Sequence, residues 1–233
     1  MTDGITAESL PGLTADQMAE VDRVMIEDLG IELLQMMENA GRNLALLALD
    51  RFEPASVVVL AGSGGNGGGG IVAARHLNNR GTAVSIVVGQ ARDRLAEVTT
   101  KQLDIADRIG IAIVDDPPSA DLIVDALIGY SLSGDPRGRK GELIQWANGA
   151  AAPILALDTP SGLDVTSGEP ANPCVSATAT MTIAMPKAGL LAAAQVGELY
   201  LGDISVPPSV YLSLGFDAFE NPFRKQTVVR LLS

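Results

Sequence analysis

The sequence predicts an α/β protein with a mostly parallel sheet and a helical extension at its N-terminus. Three observations carry that prediction. From residue 55 onward, apolar runs of strand length alternate with helical patterns of roughly ten to fifteen residues, the signature of βαβ units. Before that point, two stretches repeat apolar residues with helical spacing. The chain has 233 residues, 47% of them apolar, enough for one sizeable core. We therefore expect one domain over 1–233, with a helical extension over 1–50 and a sheet region over 55–233.

The first helix opens at Thr14, where Thr-Ala-Asp-Gln forms a capping box completed by Gln17. Met18, Val21, Met25 and Leu29 then share one face, and Gly30 is the expected stop. A second helix is expected over 31–50, with Leu33, Leu34, Met37, Ala40, Leu44 and Leu47 along its stripe. The small residues of Glu38-Asn39-Ala40-Gly41 permit a close backbone approach. Strands are expected over 57–61, 83–88, 111–114, 122–127, 153–157, 177–184 and 199–204. Helices are expected over 71–80, 95–109 and 141–150.

Composition narrows the chemistry. With 28 acidic and 16 basic residues, the net charge of −12 disfavours nucleic acid, whose binding neutralises phosphates with Lys and Arg. One histidine, His76, and one cysteine, Cys174, exclude a Cys/His zinc site and an internal disulfide. Both fit ordinary packing or surface roles. No apolar run reaches the ~20 residues of a membrane span. The N-terminus shows no basic start followed by an apolar stretch, so a cytoplasmic protein is expected.

Three polar segments stand out at expected strand ends. Seven of the nine residues from Gly62 to Gly70 are glycine, which allows tight turns and close approach to a ligand. A helix N-terminus beyond it favours phosphate, with the backbone N–H groups of Gly67 to Gly70 as expected donors. Gly62, Gly64 and Gly67 match G-x-G-x-x-G, but the next strand ends Val88-Gly89-Gln90 without the ribose-binding acid. No Lys-Ser or Lys-Thr follows the glycines, so a Walker loop is excluded. Asp125 lies in an apolar run, where a carboxylate needs a cation or several donors. Asp158 leaves another strand before the turn Thr159-Pro160-Ser161-Gly162. Ligands of open α/β sheets bind beyond such ends.

Together these segments resemble the NAD(P)H-hydrate epimerase family, also called the YjeF N-terminal domain family. The resemblance rests on Gly65-Asn66-Gly67-Gly68-Gly69-Gly70 with the helix from Val72 to Leu77, on Val124 to Gly129, and on Asp158 to Gly162. Met37 to Gly41, Pro186 to Leu190 and Gly197 to Tyr200 support it, in the same order along the chain. It implies a three-layer α/β/α Rossmann-like fold, often a homodimer, that interconverts the R and S epimers at C6 of hydrated NADH or NADPH. A dehydratase acting on one epimer would be its functional partner. By motif matching, Asn66, Asp125 and Ser161 fall on positions that hold K+. Gly65, Asn66, Gly67, Gly68 and Gly69 fall on substrate-binding positions. So do Gly129, Tyr130, Ser131, Leu132, Ser133, Gly134 and Asp135, and Asp158, which is the expected catalytic residue.

Two positions depart from the family pattern. Gly65 stands in place of its first Asn, and Gly69 in place of its Asp. A general acid–base group contributes roughly 10²–10⁴-fold to a rate. A noncatalytic nucleotide-binding or dimerisation module of the same fold is therefore the alternative to an active epimerase.

Overall fold

A nine-stranded sheet organises the chain. The structure, a computed structural model, describes residues 4–217 and 219–232. The strands are β1 (Ile5–Thr6), β2 (Ser56–Ala61), β3 (Ala83–Val88), β4 (Ala112–Ile113), β5 (Leu122–Ala126), β6 (Ile154–Leu157), β7 (Ala179–Ile183), β8 (Glu198–Gly202) and β9 (Val228–Leu232). Their order is β1-β9-β8-β7-β6-β5-β2-β3-β4, and every pairing is parallel except β8 with β9. The helices are α1 (Ala15–Arg23), α2 (Leu33–Phe52), α3 (Gly65–Asn78), α4 (Glu97–Arg108), α5 (Gly138–Gly149) and α6 (Pro208–Ser213).

Alternation along β2 shows the layering. Val57, Val59 and Ala61 pack into a core shared with α2, α3 and α4, whereas Val58 and Leu60 join Leu143, Ile144 and Ala147 of α5. Side chains of a strand point alternately to its two faces, so the sheet is covered on both and the three-layer α/β/α arrangement follows. Burial on both faces also explains the unbroken apolar runs of β2 and β5. A fully buried side chain such as Leu44 of α2 contributes about 1.5–3 kcal/mol.

The chain runs from β2 to β3 and β4 on one side, then returns to place β5 against the other side of β2. That reversal opens a crevice beyond the carboxyl ends of β2 and β5. Here Gly62 donates its N–H to the carbonyl of Ala126 at 2.9 Å. A Cβ on Gly62 would lie 1.9 Å from the carbonyl oxygen of Leu127, so only glycine lets the two segments meet.

Besides the short α6, which was not expected, local structure departs from the sequence-based expectations in three places. The α1 capping box forms, with Thr14 Oγ1 accepting from the Gln17 N–H and Gln17 Oε1 from the Thr14 N–H. Beyond Arg23, however, the helix widens into a π-type turn over Val24–Asp28, with a bond from the Leu29 N–H to the Val24 carbonyl. The extra residue in that turn rotates Leu29 off the Met18–Val21–Met25 face, leaving it 48% exposed. Second, α3 begins at Gly65 rather than near residue 71, so most of the glycine segment is helix. Third, β1 and β9 were not expected. They extend the sheet beyond β8, and β9 does so by an antiparallel pairing that the βαβ rhythm does not announce.

Candidate active site

Early helix formation places the glycines where close packing needs them. A Cβ on Gly41 would meet Val72 at 2.5 Å and the Gly69 carbonyl at 2.6 Å, so α2 and α3 lie nearly backbone to backbone. Gly67 packs against the Gly62 backbone and Gly68 against Met37. Neither lines the crevice. The Gly68 N–H is taken by the Gly64 carbonyl at 3.1 Å, and Gly69 and Gly70 lie within the helical ladder. The donors left free by a helix start are those of its first residues, which moves the expected phosphate contact back toward Gly65 and Asn66, the first two residues of α3 and both in the crevice lining.

The crevice is a cavity of about 540 Å³ at the β2–β5 switch point. Gly65, Asn66 and Gly69 reach it from α3, Gly129 through Asp135 from the loop after β5, and Asp158 from the end of β6. Asp135 is also tied back by the Asn172 N–H at 3.0 Å. Gly69 has no positive φ. A Cβ there would meet only Leu157 Cδ2, at 3.0 Å, so the backbone itself does not demand glycine.

Asp158 is the best-anchored group in the cavity wall. It is buried, at 3% exposure, and adopts φ +69°, a conformation that Asp tolerates better than most residues. Its Oδ1 pairs with Nζ of Lys187, and its Oδ2 accepts from the Tyr130 N–H at 3.0 Å. Lys187 is itself wholly buried and also donates to Thr182 Oγ1 at 3.1 Å and the Ile183 carbonyl at 2.8 Å. All three ammonium protons therefore have acceptors.

Asp125 and Ser161 lie beneath this wall, fully buried and in contact. Ser161 donates its hydroxyl to Asp125 Oδ1 at 2.6 Å and its N–H to Oδ2 at 2.8 Å, and the Leu127 N–H reaches Oδ1 at 3.2 Å. Burial pushes the Asp125 carboxyl up to about 6, against the opposing pull of the Ser161 donors. Asn66 stands nearby. Its Cβ and Cγ and the Asp158 Oδ2 all crowd the position a Cβ on Gly129 would take. The buried Asn66 Nδ2 has no hydrogen-bond partner among the described residues.

Three further residues escaped the sequence analysis as site members. Asp22 of α1 lines the cavity, and its Oδ2 accepts from the Tyr130 hydroxyl at 2.7 Å. The available signal was an acid on the α1 stripe, four residues after Met18 and three before Met25. Lys187 was legible only as part of a motif, although it is the sole charged residue between Asp164 and Glu198 apart from Glu169. Lys140 of α5 also reaches the cavity, with Nζ 3.5 Å from Ser63 Oγ.

His76 and Cys174 stay outside this chemistry. His76 Nε2 bonds Glu38 Oε1 at 2.8 Å on the outer side of α3. Burial pushes the Cys174 thiol up to about 12, which removes the thiolate a nucleophile needs. No helix among the described residues is long and apolar enough to cross a membrane.

Known proteins match both the sequence and the shape. The family model described as YjeF-related protein N-terminus matches residues 33–189, more than half of the chain. An NAD(P)H-hydrate epimerase of Dehalogenimonas lykanthroporepellens is 46% identical over 96% of this chain and 94% of its own length. One of Weissella koreensis is 35% identical over 88% of this chain and 93% of its own. A bifunctional NAD(P)H-hydrate repair enzyme of Salinibacter ruber is 36% identical over 88% of this chain, which spans only 43% of that enzyme. The crystal structure of yeast ynu0 superposes with a TM-score of 0.83 at 23% identity, covering 95% of this chain and all of that one, a likeness of fold. On the family match and these identities, the chain belongs to the YjeF-related protein N-terminus family.

Proposed function

We propose that this chain is an NAD(P)H-hydrate epimerase, interconverting the R and S forms of hydrated NADH and NADPH. The observation that carries the reading is the buried Asp158–Lys187 pair in the wall of a switch-point cavity, in a chain 46% identical to an epimerase over nearly its whole length. Epimerisation at a carbon next to the ring nitrogen requires the hydroxyl to leave and water to return on the other face. Positive charge develops on the ring as it leaves. Asp158, held by an ammonium on one oxygen and a backbone N–H on the other, is a preorganised countercharge for that state.

The nucleotide's phosphates fit the start of α3, where free N–H groups and the helix dipole hold an anion in an acidic protein. Gly65, Asn66 and Gly67 begin that helix. We place the substrate between this helix start, the 129–135 loop and Asp158.

K+ belongs to the same proposal. Asn66, Asp125 and Ser161 offer an amide, a carboxylate and a hydroxyl, oxygen donors suited to a hard cation. The buried Asp125 carboxylate supports the fit, because a cation would offset the cost of its burial; the unpartnered atom of Asn66 is its Nδ2 donor, which calls for an acceptor rather than a cation. Bound there, it would anchor the loops that form the cavity floor. A dehydratase is the proposed functional partner, since bifunctional repair relatives are about twice the length of this chain. Homodimer formation is supported by exposed Ile26, Leu29 and Leu46, all on the N-terminal helical extension, and sedimentation would test it.

The decisive experiment supplies an equilibrated R/S mixture with an epimer-specific dehydratase. Complete conversion at a rate set by this chain is expected, in K+ faster than in Na+. Conversion that stops at the dehydratase's own epimer would leave the noncatalytic module. Gly69→Asp addresses that alternative directly. The helical backbone admits it, and we expect the natural protein to turn over already, with the variant within tenfold of it. A variant that alone is active would assign the missing carboxylate an essential role.

A further inference from the structure

We propose that Asp22 is the second acid–base residue of this site, giving its proton to the departing hydroxyl while Asp158 receives one from the incoming water. The inference rests on the epimerase reading and deepens it. An epimerase must handle oxygen on both faces of one carbon, so a single carboxylate leaves one face unserved. Three carboxylates line the cavity: Asp135 is tied back by the Asn172 N–H, and the other two stand on separate elements, Asp22 on α1 and Asp158 at the end of β6.

Tyr130 sets their separation. Its N–H bonds Asp158 Oδ2 at 3.0 Å and its hydroxyl bonds Asp22 Oδ2 at 2.7 Å, so one residue holds both acids, one at its backbone and one at its ring tip. The other oxygen of each differs. Asp158 Oδ1 is occupied by Lys187, whereas Asp22 Oδ1 makes no hydrogen bond to the described residues and is free to carry a proton toward a ligand. The two carboxylates thus differ in their partners, one bound to an ammonium and the other to a phenol. Burial raises the Asp22 carboxyl above its ordinary range. The Tyr130 hydrogen bond opposes this, the Asp158 charge adds to it, and Lys187 lowers it. The remaining ionisable neighbour is Tyr211 of α6, which feels both Asp22 and Asp203.

The step balances without a further reactant. The Asp22 proton passes to the C6 hydroxyl, the C6–O bond breaks, and the nitrogen lone pair forms the C6=N1 bond as water departs. Water then adds to the opposite face, its oxygen forming the new C6–O bond while the electron pair returns to nitrogen. Its surplus proton goes to Asp158. Exchange with solvent restores both carboxyls, and the reverse direction exchanges their roles.

Asp22→Asn keeps the Tyr130 bond and the volume. In the dehydratase-coupled assay on the full chain, kcat should fall roughly 100-fold or more, with nucleotide binding by calorimetry unchanged. Asp22→Glu should recover part of the rate. Tyr130→Phe leaves the Asp22 carboxyl but removes the bond that lowers its pKa, so the alkaline limb of the kcat–pH profile should move to higher pH. Asp22→Asn within threefold of the natural rate, or a loss confined to KM, would overturn the proposal. So would an unmoved alkaline limb in an active Tyr130→Phe. The natural protein's own turnover separates the two readings: no turnover removes the epimerase function itself, whereas normal turnover with an unaffected Asp22→Asn removes only the role of Asp22.

Discussion

The two ends of the parallel sheet use acids and bases in opposite ways. At the amino end, Glu198 opens β8 and accepts both guanidinium bonds of Arg51 at 2.9 and 3.0 Å, with Tyr200 donating at 2.7 Å and Arg230 forming an ion pair at 3.7 Å. This cluster is partly solvated, and Arg51 sits in the last turn of α2, where a cation suits the dipole. At the carboxyl end, Asp158 and Lys187 form one pair with almost no exposure. Non-glycine residues follow β6, β7 and β8 there at positive φ: Asp158, Ala184 and Ser205. Such conformations cost on the order of 1–3 kcal/mol each. Glu53, which caps α2 before β2, is the one such residue at the amino end among those described, so strain and full charge burial concentrate at the carboxyl end, where the proposed ligand site lies.

Breaking the buried pair should have the largest effect. Asp158→Asn leaves an uncompensated ammonium, which typically costs about 3–5 kcal/mol. Turnover should fall roughly 10²–10⁴-fold. Joining it with Lys187→Met should recover much of the stability by urea denaturation and none of the activity. Recovery of activity in the double variant would mean that the pair is structural, like its counterpart at the amino end.

Disturbing the helix contact beneath the site comes next. Gly41→Ala forces a Cβ against Val72 and the Gly69 carbonyl, and such overpacking costs about 1–3 kcal/mol. Because the proposed substrate contact lies at the start of α3, KM should rise along with the loss in melting temperature. An unchanged KM would show that α2 and α3 support the cavity independently.

The smallest effect belongs to the amino end. Glu198→Gln should cost about 1 kcal/mol, typical of a partly exposed ion pair, and leave turnover within twofold. Arg51, with help from Tyr200, holds the Glu198 carboxyl down to about 2. A depressed acid stabilises the fold above its unfolded pKa near 4.5 and loses that contribution as pH falls toward 2. Urea midpoints between pH 5 and 2 should fall less steeply in Glu198→Gln than in the natural protein. Parallel slopes would remove Glu198 from the acid sensitivity.

Much of the architecture was legible because it rests on local pattern. The capping box at Thr14, the stop at Gly30 and the apolar runs of β2, β3 and β5 announce themselves within a few residues. Leu29 was misplaced because a π-type turn changes the period without a sequence mark. The short β1 and β9 escaped because pairing partners far along the chain stabilise them. The glycine segment was misassigned as loop because glycine is a poor helix former, and only contact with α2 and β5 makes that helix favourable.

By itself, the sequence determined the alternation of strands and helices, the acidic surface, and the set of polar residues at strand ends. These follow from periodicity, composition and motif, which need no partner. Tertiary structure alone decided that Asp125 and Ser161 touch beneath the wall, and that Asp158 pairs with Lys187, 29 residues away. It also decided that Tyr130, bonded to Asp158, reaches Asp22 across 108 residues of chain. Those contacts depend on the sheet order and on glycine-sized gaps between α2, α3 and the loops. Geometry of that kind is set when distant segments pack, and no local pattern carries it.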